Sequence, residues 1–338
     1  MRKLASIQKI EEVRPIEGAD QIEKARVLGW WVVIKKDQFK VGDLAIYFEI
    51  DSLLPVTSQF EFFSKGQKPK QTINDDGKLV EGWRLKTVRL RGQVSQGLLK
   101  PLSDFPEITA KEPGTDLTET IGVYKFDPPL PASISGEAKG YIPGYIPKTD
   151  EERIQSIPEQ IEKLQGKRFY VTSKLDGTST TIFKYENDFN VCGRTLNYVE
   201  DDKNVMWRIA NQYNLKEKLP DGFAIQGECI GESIQDNRQR IKGQDIYVFY
   251  VVDITKAEYL SLEDMKHFVA DLGMKTVPVI DENFILDHTV DQLLKMANGP
   301  SPLNPSVPQE GIVFRLYNST KKVTFKAISN EYLIHYGL

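Results

Sequence analysis

The first hundred residues contain short strand-like runs and almost no helical period. LGWWVVIKK (28–36), GDLAIYFEI (42–50) and LKTVRLRGQVSQGLL (85–99) are rich in β-branched and aromatic side chains and bounded by glycine and aspartate. Short strands at this spacing predict a small closed barrel. From Pro101 to Asp150 the pattern changes. FDPPLPASISGEAKGYIPGYIPKTD is rich in proline and glycine, shows no sustained period, and reads as a linker. Beyond it the period alternates between two and 3.6. Helices are predicted in DEERIQSIPEQIEKL (150–164), DDKNVMWRIANQYNL (201–215), SLEDMKHFVADLG (261–273) and TVDQLLKMANG (289–299). Strands are predicted around 168–193 and at 223–229, 246–254, 311–317 and 322–327. No internal repeat is present.

A chain of 338 residues has room for two ordinary domains, and 40% hydrophobic with 27% charged residues is a globular composition. No apolar stretch approaches the ~20 residues that span a bilayer. The start, MRKLASIQKIEEVRP, has no apolar signal core, so a cytoplasmic location is expected. Cys192 and Cys229 sit in strand-like segments and are expected to be reduced, buried and inert. Three scattered histidines and no C-x-x-C argue against structural zinc. The net charge of −4 counts against a protein held on nucleic acid by electrostatics alone, while leaving room for a local basic groove.

One short stretch carries chemistry. In SKLDGTS (173–179) a lysine and an aspartate flank one apolar residue, between the strand-like Arg168 to Ser173 and the strand-like TSTTIFKY. Alone, this is a hairpin with a solvated lysine at its mouth. Four further segments follow in order: VCGRT at 191, FAIQGECIG at 223, IYVFYVVDI at 246, and QEGIVFRL at 309 followed by VTFKAIS at 323. Together they resemble the covalent nucleotidyltransferases, the superfamily of polynucleotide ligases and mRNA capping enzymes.

That resemblance implies a lysine amine attacking the α-phosphorus of a nucleoside triphosphate, releasing pyrophosphate and leaving an enzyme–nucleotide phosphoramidate. Lys174 matches the nucleophile. Only a neutral amine attacks, so its pKa is expected to be tuned downward by nearby cations and burial. Lys326 matches the late lysine on the α-phosphate. Asp176, Glu228 and Glu310 match the positions that hold a catalytic Mg²⁺ or Mn²⁺, often through its water shell, or that contact the ribose. Arg194 matches an arginine on nucleotide or terminal phosphate; its plain alternative is a strand-end ion pair. Phe249 is the candidate for stacking on the base. Strand alternation puts Tyr247, Phe249 and Val251 on one face, which core packing explains as well. Two departures from the pattern stand out: Val252 precedes Asp253 where an aromatic is common, and Thr324 takes the place of a second late lysine, with Lys322 farther off. DNRQRIKGQD, with Arg238, Arg240 and Lys242, is either a solvated turn or a basic loop for RNA or pyrophosphate.

IEEVRPIEGADQIEKARVLGWWVVI (10–34) resembles the opening of the tRNA-binding type of OB-fold. Twelve residues follow Lys326, so no further C-terminal domain is expected. An N-terminal OB barrel joined to a terminal nucleotidyltransferase domain resembles the Naegleria/Deinococcus type of ATP-dependent RNA ligase. In that family an upstream arginine also engages the nucleotide, and Arg153 matches its offset. The implied fold is α+β: an OB-fold domain over 1–100, a linker over 101–150, and over 151–338 an ATP-grasp-like, DNA-ligase-type nucleotidyltransferase domain of antiparallel sheets with flanking helices. The implied cofactors are ATP with Mg²⁺ or Mn²⁺. The implied partner is RNA with 3′-OH and 5′-phosphate ends in a nicked duplex, sealed by a monomer. A DNA ligase or a GTP-dependent capping enzyme shares the lysine chemistry, and a non-catalytic RNA-binding barrel needs none of it.

Overall fold

The early runs pair as their alternation dictates. The computed structural model describes residues 2–74, 78–127 and 136–338. Ala5–Lys9, Leu44–Phe48 and Leu98–Pro101 form one antiparallel sheet, and Glu12–Pro15, Ile22–Val27 and Trp30–Lys35 form a second. In Trp30–Lys35, Trp30, Val32 and Ile34 turn inward and are buried, so Trp31, Val33 and Lys35 take the opposite face. The Gln93–Ser95 strand closes on this edge: the Gln96 amide donates to the Trp31 carbonyl at 2.9 Å, and the Val33 amide to Ser95 Oγ at 2.9 Å. A third sheet runs Tyr124–Lys125, Ser52–Pro55, Leu79–Arg84, Lys70–Ile73.

Ile7, Ile46, Phe48, Leu54, Phe60 and Trp83 fill the core of this barrel unit. Phe48 meets Phe60 edge-on at 5.2 Å, an arrangement that suits opposed ring quadrupoles. Residues after Pro101 also belong here. Phe105, Leu117 and Val123 lie in the same core, and the short helix Thr118–Ile121 ends on Gly122 at φ 76°, where a left-handed cap suits glycine. The proline-rich centre of the segment read as a linker, residues 128–135, lies outside the described residues.

Among the described residues, the second unit takes in 136–154 and Glu159–Tyr332. One antiparallel sheet has the order Val279–Ile285, Arg168–Lys174, Gly311–Leu316, Thr324–Ile328. The larger sheet has the order Ala138–Tyr141, Leu196–Tyr198, Asp188–Cys192, Thr178–Tyr185, Phe223–Gly231, Gln244–Asp253, Glu258–Tyr259, with Lys275–Thr276 alongside Gln244–Asp253. Helices Val205–Gln212 and Leu262–Asp271 bury their apolar stripes, including Met206, Ile209, Met265 and Val269, against it. Each starts where the sequence supplies a cap: the Asn204 side chain accepts from the Met206 and Trp207 amides, and Ser261 from that of Asp264.

The helix expected over 150–164 is shorter, Pro158–Lys163. Pro158 disfavours helical geometry in Ile157 and suits a helix start, so the helix begins there, with a separate 3-10 turn at Ile154–Ser156 before it. Cys192 and Cys229 are fully buried and unpaired with each other; burial pushes the Cys192 thiol up to about 12 and raises that of Cys229 as well. No helix among the described residues is long and apolar enough to cross a membrane. The architecture is α+β: an N-terminal OB-fold barrel, then antiparallel ligase-type sheets with flanking helices.

Candidate active site

SKLDGTS is not a hairpin. Lys174 ends a strand of the four-stranded sheet, and Thr178 opens a strand of the larger one. The stretch between them is a crossover that brings both sheets to one place. Gly177 makes this possible: a Cβ there would lie 2.3 Å from the Cys229 carbonyl oxygen. At Gly311 the same atom would lie 2.2 Å from the Ala327 carbonyl oxygen. Both positions need a residue without a side chain for the backbones to approach.

The four-stranded sheet supplies Lys174, Glu310 and Lys326. Lys174 sits in register with Gly311, next to Glu310, and Lys326 with Val313. The larger sheet supplies Glu228, in register with Ser179, and Phe249. Lys174 Nζ lies 2.8 Å from Glu310 Oε1 and 2.9 Å from Oε2. Burial alone would lower the Lys174 pKa, but attraction from Glu310, Glu228 and Asp176 outweighs it and pushes the amine up to about 12. The downward tuning expected from sequence is therefore absent, because carboxylates and not cations surround the amine. Burial pushes Glu228 up to about 8; Lys174 and the Gly177 amide pull it down, while Glu310 and Asp176 add repulsion. The charge of Lys326 acts on Glu310.

Asp176 accepts from Arg238 Nη1 at 2.9 Å, and Nη2 of the same guanidinium reaches Asp236 at 2.8 Å. Arg238, read from sequence as part of a basic loop or a solvated turn, is instead a carboxylate partner with a side chain only 16% exposed. Its loop holds Ser233, Gln235, Asp236, Asn237 and Arg240 at positive φ, a strained backbone that persists only where the surroundings over-determine it. Tyr332 is also buried here; burial, Glu310 and Asp176 all raise its phenol.

Phe249 is half-buried against Leu175, Ile230 and Val277, with Tyr247 beside it. Val251 does not share that face. Gln226 pairs with Tyr250 and Gly227 with Val248, so Phe249 is the extra residue of a bulge, and Val251 joins Ile246 and Val248 in the main core. Arg315, of the EGIVFR run, is buried with its guanidinium 4.7 Å from the Tyr250 ring centroid.

The extended residues 147–153 form the other wall, which sequence reasoning missed. Their backbone and side chains are gripped from several strands: Thr149 Oγ1 lies 2.7 Å from Ser179 Oγ, Glu151 accepts from Tyr250 Oη at 2.8 Å and from Thr324, and the Glu152 carbonyl accepts from the Lys326 amide at 2.8 Å. Arg153 forms a β-bridge to Lys326, bringing those two cationic residues together. Lys322 donates to the Lys148 and Asp150 carbonyls at 2.8 and 2.6 Å. Arg194 pairs with Asp150 at 2.9 Å in an exposed ion pair. Among the described residues, no three His, Cys, Asp or Glu side chains are grouped as a ready metal cage.

Comparison with known proteins agrees with this geometry. Residues 4–102 match an OB-fold domain family, and residues 167–328 match the RNA ligase family. The chain is similar to Naegleria gruberi RNA ligase in several solved forms. A mutant of that enzyme with ATP and Mn superposes with a TM-score of 0.89 at 43% identity, covering 98% of each chain. The form with PPi gives the same values. An apo mutant gives a TM-score of 0.88 at 43% identity, covering 98% of this chain and 97% of that one. A comparison with curated proteins returns no match. The chain belongs to the RNA ligase family.

Proposed function

We propose that the protein is an ATP- and divalent-metal-dependent RNA ligase that seals 3′-OH/5′-phosphate nicks in RNA duplexes through a lysyl-AMP on Lys174. The observation that carries this reading is the Lys174 amine, 2.8 Å from Glu310 at a crossover where Asp176 and Glu228 also act on its charge. Solved forms of Naegleria gruberi RNA ligase with ATP and Mn, AMP and Mn, and PPi support it, since these are the reactant, the product nucleotide and the leaving group of such a cycle.

In the first step Lys174 Nζ bonds to the α-phosphorus of ATP, the bond to the bridging oxygen breaks, and pyrophosphate leaves. The ammonium, held by Glu310 at 2.9 Å, must first lose its proton to solvent, which becomes easier once the charge of the carboxylates around it is offset. Lys326 and its bridge partner Arg153 would face the phosphates. Arg194 would exchange Asp150 for nucleotide or terminal phosphate, and Phe249 would offer its ring to the base. The AMP phosphorus then passes from Nζ to an oxygen of the RNA 5′-phosphate. Finally the 3′-hydroxyl attacks that 5′-phosphorus and AMP departs.

Asp176, Glu228 and Glu310 would hold Mg²⁺ or Mn²⁺, in part through its waters. Their fit is one of charge: all donors are oxygen, and Glu228 is pushed up to about 8 by burial and by its two acidic neighbours, crowding that a hard cation relieves. When bound, the ion would supply positive charge to draw the carboxylates off the amine and to offset charge on the phosphates. The chemistry is assigned to the second unit, residues 147–153 included, and the holding of duplex beside the nick to the barrel, whose core takes in Phe105, Leu117 and Val123.

Incubation with α-labelled ATP or GTP tests the reading. A covalent AMP label on the wild type, absent from Lys174→Ala, is expected. A GMP label would indicate a capping-type enzyme, and no label would leave only an RNA-binding barrel.

A further inference from the structure

The outer face of the sheet formed by Glu12–Pro15, Ile22–Val27 and Trp30–Lys35 takes no part in the chemistry above. Trp31 points away from the barrel core, opposite to its buried neighbours Trp30 and Val32. Three cations converge on its ring: Lys24 Nζ lies 4.8 Å from the centroid, the Arg26 guanidinium 5.3 Å and the Arg14 guanidinium 5.4 Å. The register explains the convergence. Arg26 stands opposite Trp31, Lys24 opposite Val33, and Arg14 opposite Lys24, so all share one face.

The arrangement is held in place. Lys24 Nζ donates to Gln93 Oε1 at 2.8 Å and Arg26 Nε to the Leu28 carbonyl at 3.3 Å, while Arg14 pairs with Glu12, an acid on the same face. A chain with 48 acidic against 44 basic residues has no general basic surface, so three cations around one outward tryptophan form a local feature. An acidic peptide would use the cations and leave the ring idle. A nucleic-acid strand uses both, with phosphates on cations and a sugar or base against the ring. The face lies on one sheet of the barrel, with Trp31 on Trp30–Lys35, Lys24 and Arg26 on Ile22–Val27 and Arg14 on Glu12–Pro15, and OB-folds take oligonucleotides on such a sheet face.

We propose that Arg14, Lys24, Arg26 and Trp31 form a site for one strand of the RNA substrate, with phosphates on the three cations and the Trp31 ring against an intervening ribose or base. This rests on the RNA ligase reading and assigns the barrel a definite surface within it. The test uses full-length protein, a nicked RNA duplex with 3′-OH and 5′-phosphate ends, and no ATP. Binding is measured across a salt series, with enzyme–AMP formation measured in parallel.

Trp31→Ala is expected to weaken binding by about 10-fold, the size of one lost aromatic stack, and Trp31→Phe to retain most of it. Lys24→Gln is expected to lower the slope of log affinity against log salt by about one, the mark of a lost phosphate contact. Enzyme–AMP formation should stay at the wild-type level in all three. Wild-type RNA affinity and salt slope in both Trp31→Ala and Lys24→Gln, each folded by circular dichroism, would overturn the proposal and leave the face to a protein partner. Failure of the wild type to form enzyme–AMP would instead overturn the ligase reading, whatever the RNA affinities.

Discussion

Lys174 keeps its proton because three carboxylates face it, so its reactivity depends on charge rearrangement and not on burial alone. Lys174→Arg should abolish enzyme–AMP formation as completely as Lys174→Ala, since a guanidinium stays protonated and cannot attack. A labelled adduct of full intensity on either variant, read on a denaturing gel, would remove Lys174 as the nucleophile. Glu228 predicts a pH effect of definite sign. Its carboxyl is raised from 4.5 to about 8 on folding, so its contribution to stability is fully present below about 4.5 and is lost as pH rises through about 8. With metal chelated, the melting temperature of the wild type should fall more across that window than that of Glu228→Gln, and parallel curves would contradict this environment for Glu228. At this scale the ordered motifs singled out Lys174, Asp176, Glu228, Glu310 and Lys326, whose charges the fold brings to bear on one another. Glu151 and Tyr332 lie in no motif, and Arg238 was read as part of a basic loop or a solvated turn and not as the partner of Asp176, because each acquires its partner only through folding.

At the scale of elements, the crossover from Lys174 to Thr178 ties the strand that carries Lys174 to a different sheet. Its apolar run, Asp-Gly pair and second run are locally the same as a hairpin's. What separates the two is where each strand finds a partner, and that is a non-local matter. The bulge at Phe249 is a similar case: alternation read straight through it put Val251 on the wrong face. Gly311 links local and global terms, since only a bare Cα lets Gly311–Leu316 pack against Thr324–Ile328 with Glu310 and Lys326 in place. Gly311→Ala should therefore cost about 1–3 kcal/mol of stability and reduce enzyme–AMP formation at least tenfold, because overpacking shifts the strand beside both charged residues. Denaturant unfolding and adduct yield would check the two halves; unchanged values for both would show that the strands yield freely there.

For the molecule as a whole, an RNA-sealing reaction predicts asymmetry across the nick. The 3′-OH strand presents a 2′-hydroxyl and an A-form pucker, which proteins use to tell RNA from DNA, and its hydroxyl must lie in line with the departing AMP. The 5′-phosphate strand contributes mainly charge. RNA–OH abutting 5′-phosphate DNA should be sealed well, and DNA–OH abutting 5′-phosphate RNA poorly, in four nicked duplexes that differ only in the sugar on each side of the nick. An all-DNA nick sealed as fast as all-RNA would favour a DNA ligase. The sequence by itself determined what depends on near neighbours: the strand alternation of the barrel, the helix starts at Asn204 and Ser261, and the order in which reactive side chains follow one another. Only the tertiary structure decided which charges meet. Lys174 and Glu310 are 136 residues apart and touch through two packed strands, Arg238 closes on Asp176 across a strained loop, and residues 147–153 become a wall because several strands grip them. Electrostatic energy depends on separations of a few ångströms and on burial, and those distances are set by how the sheets pack.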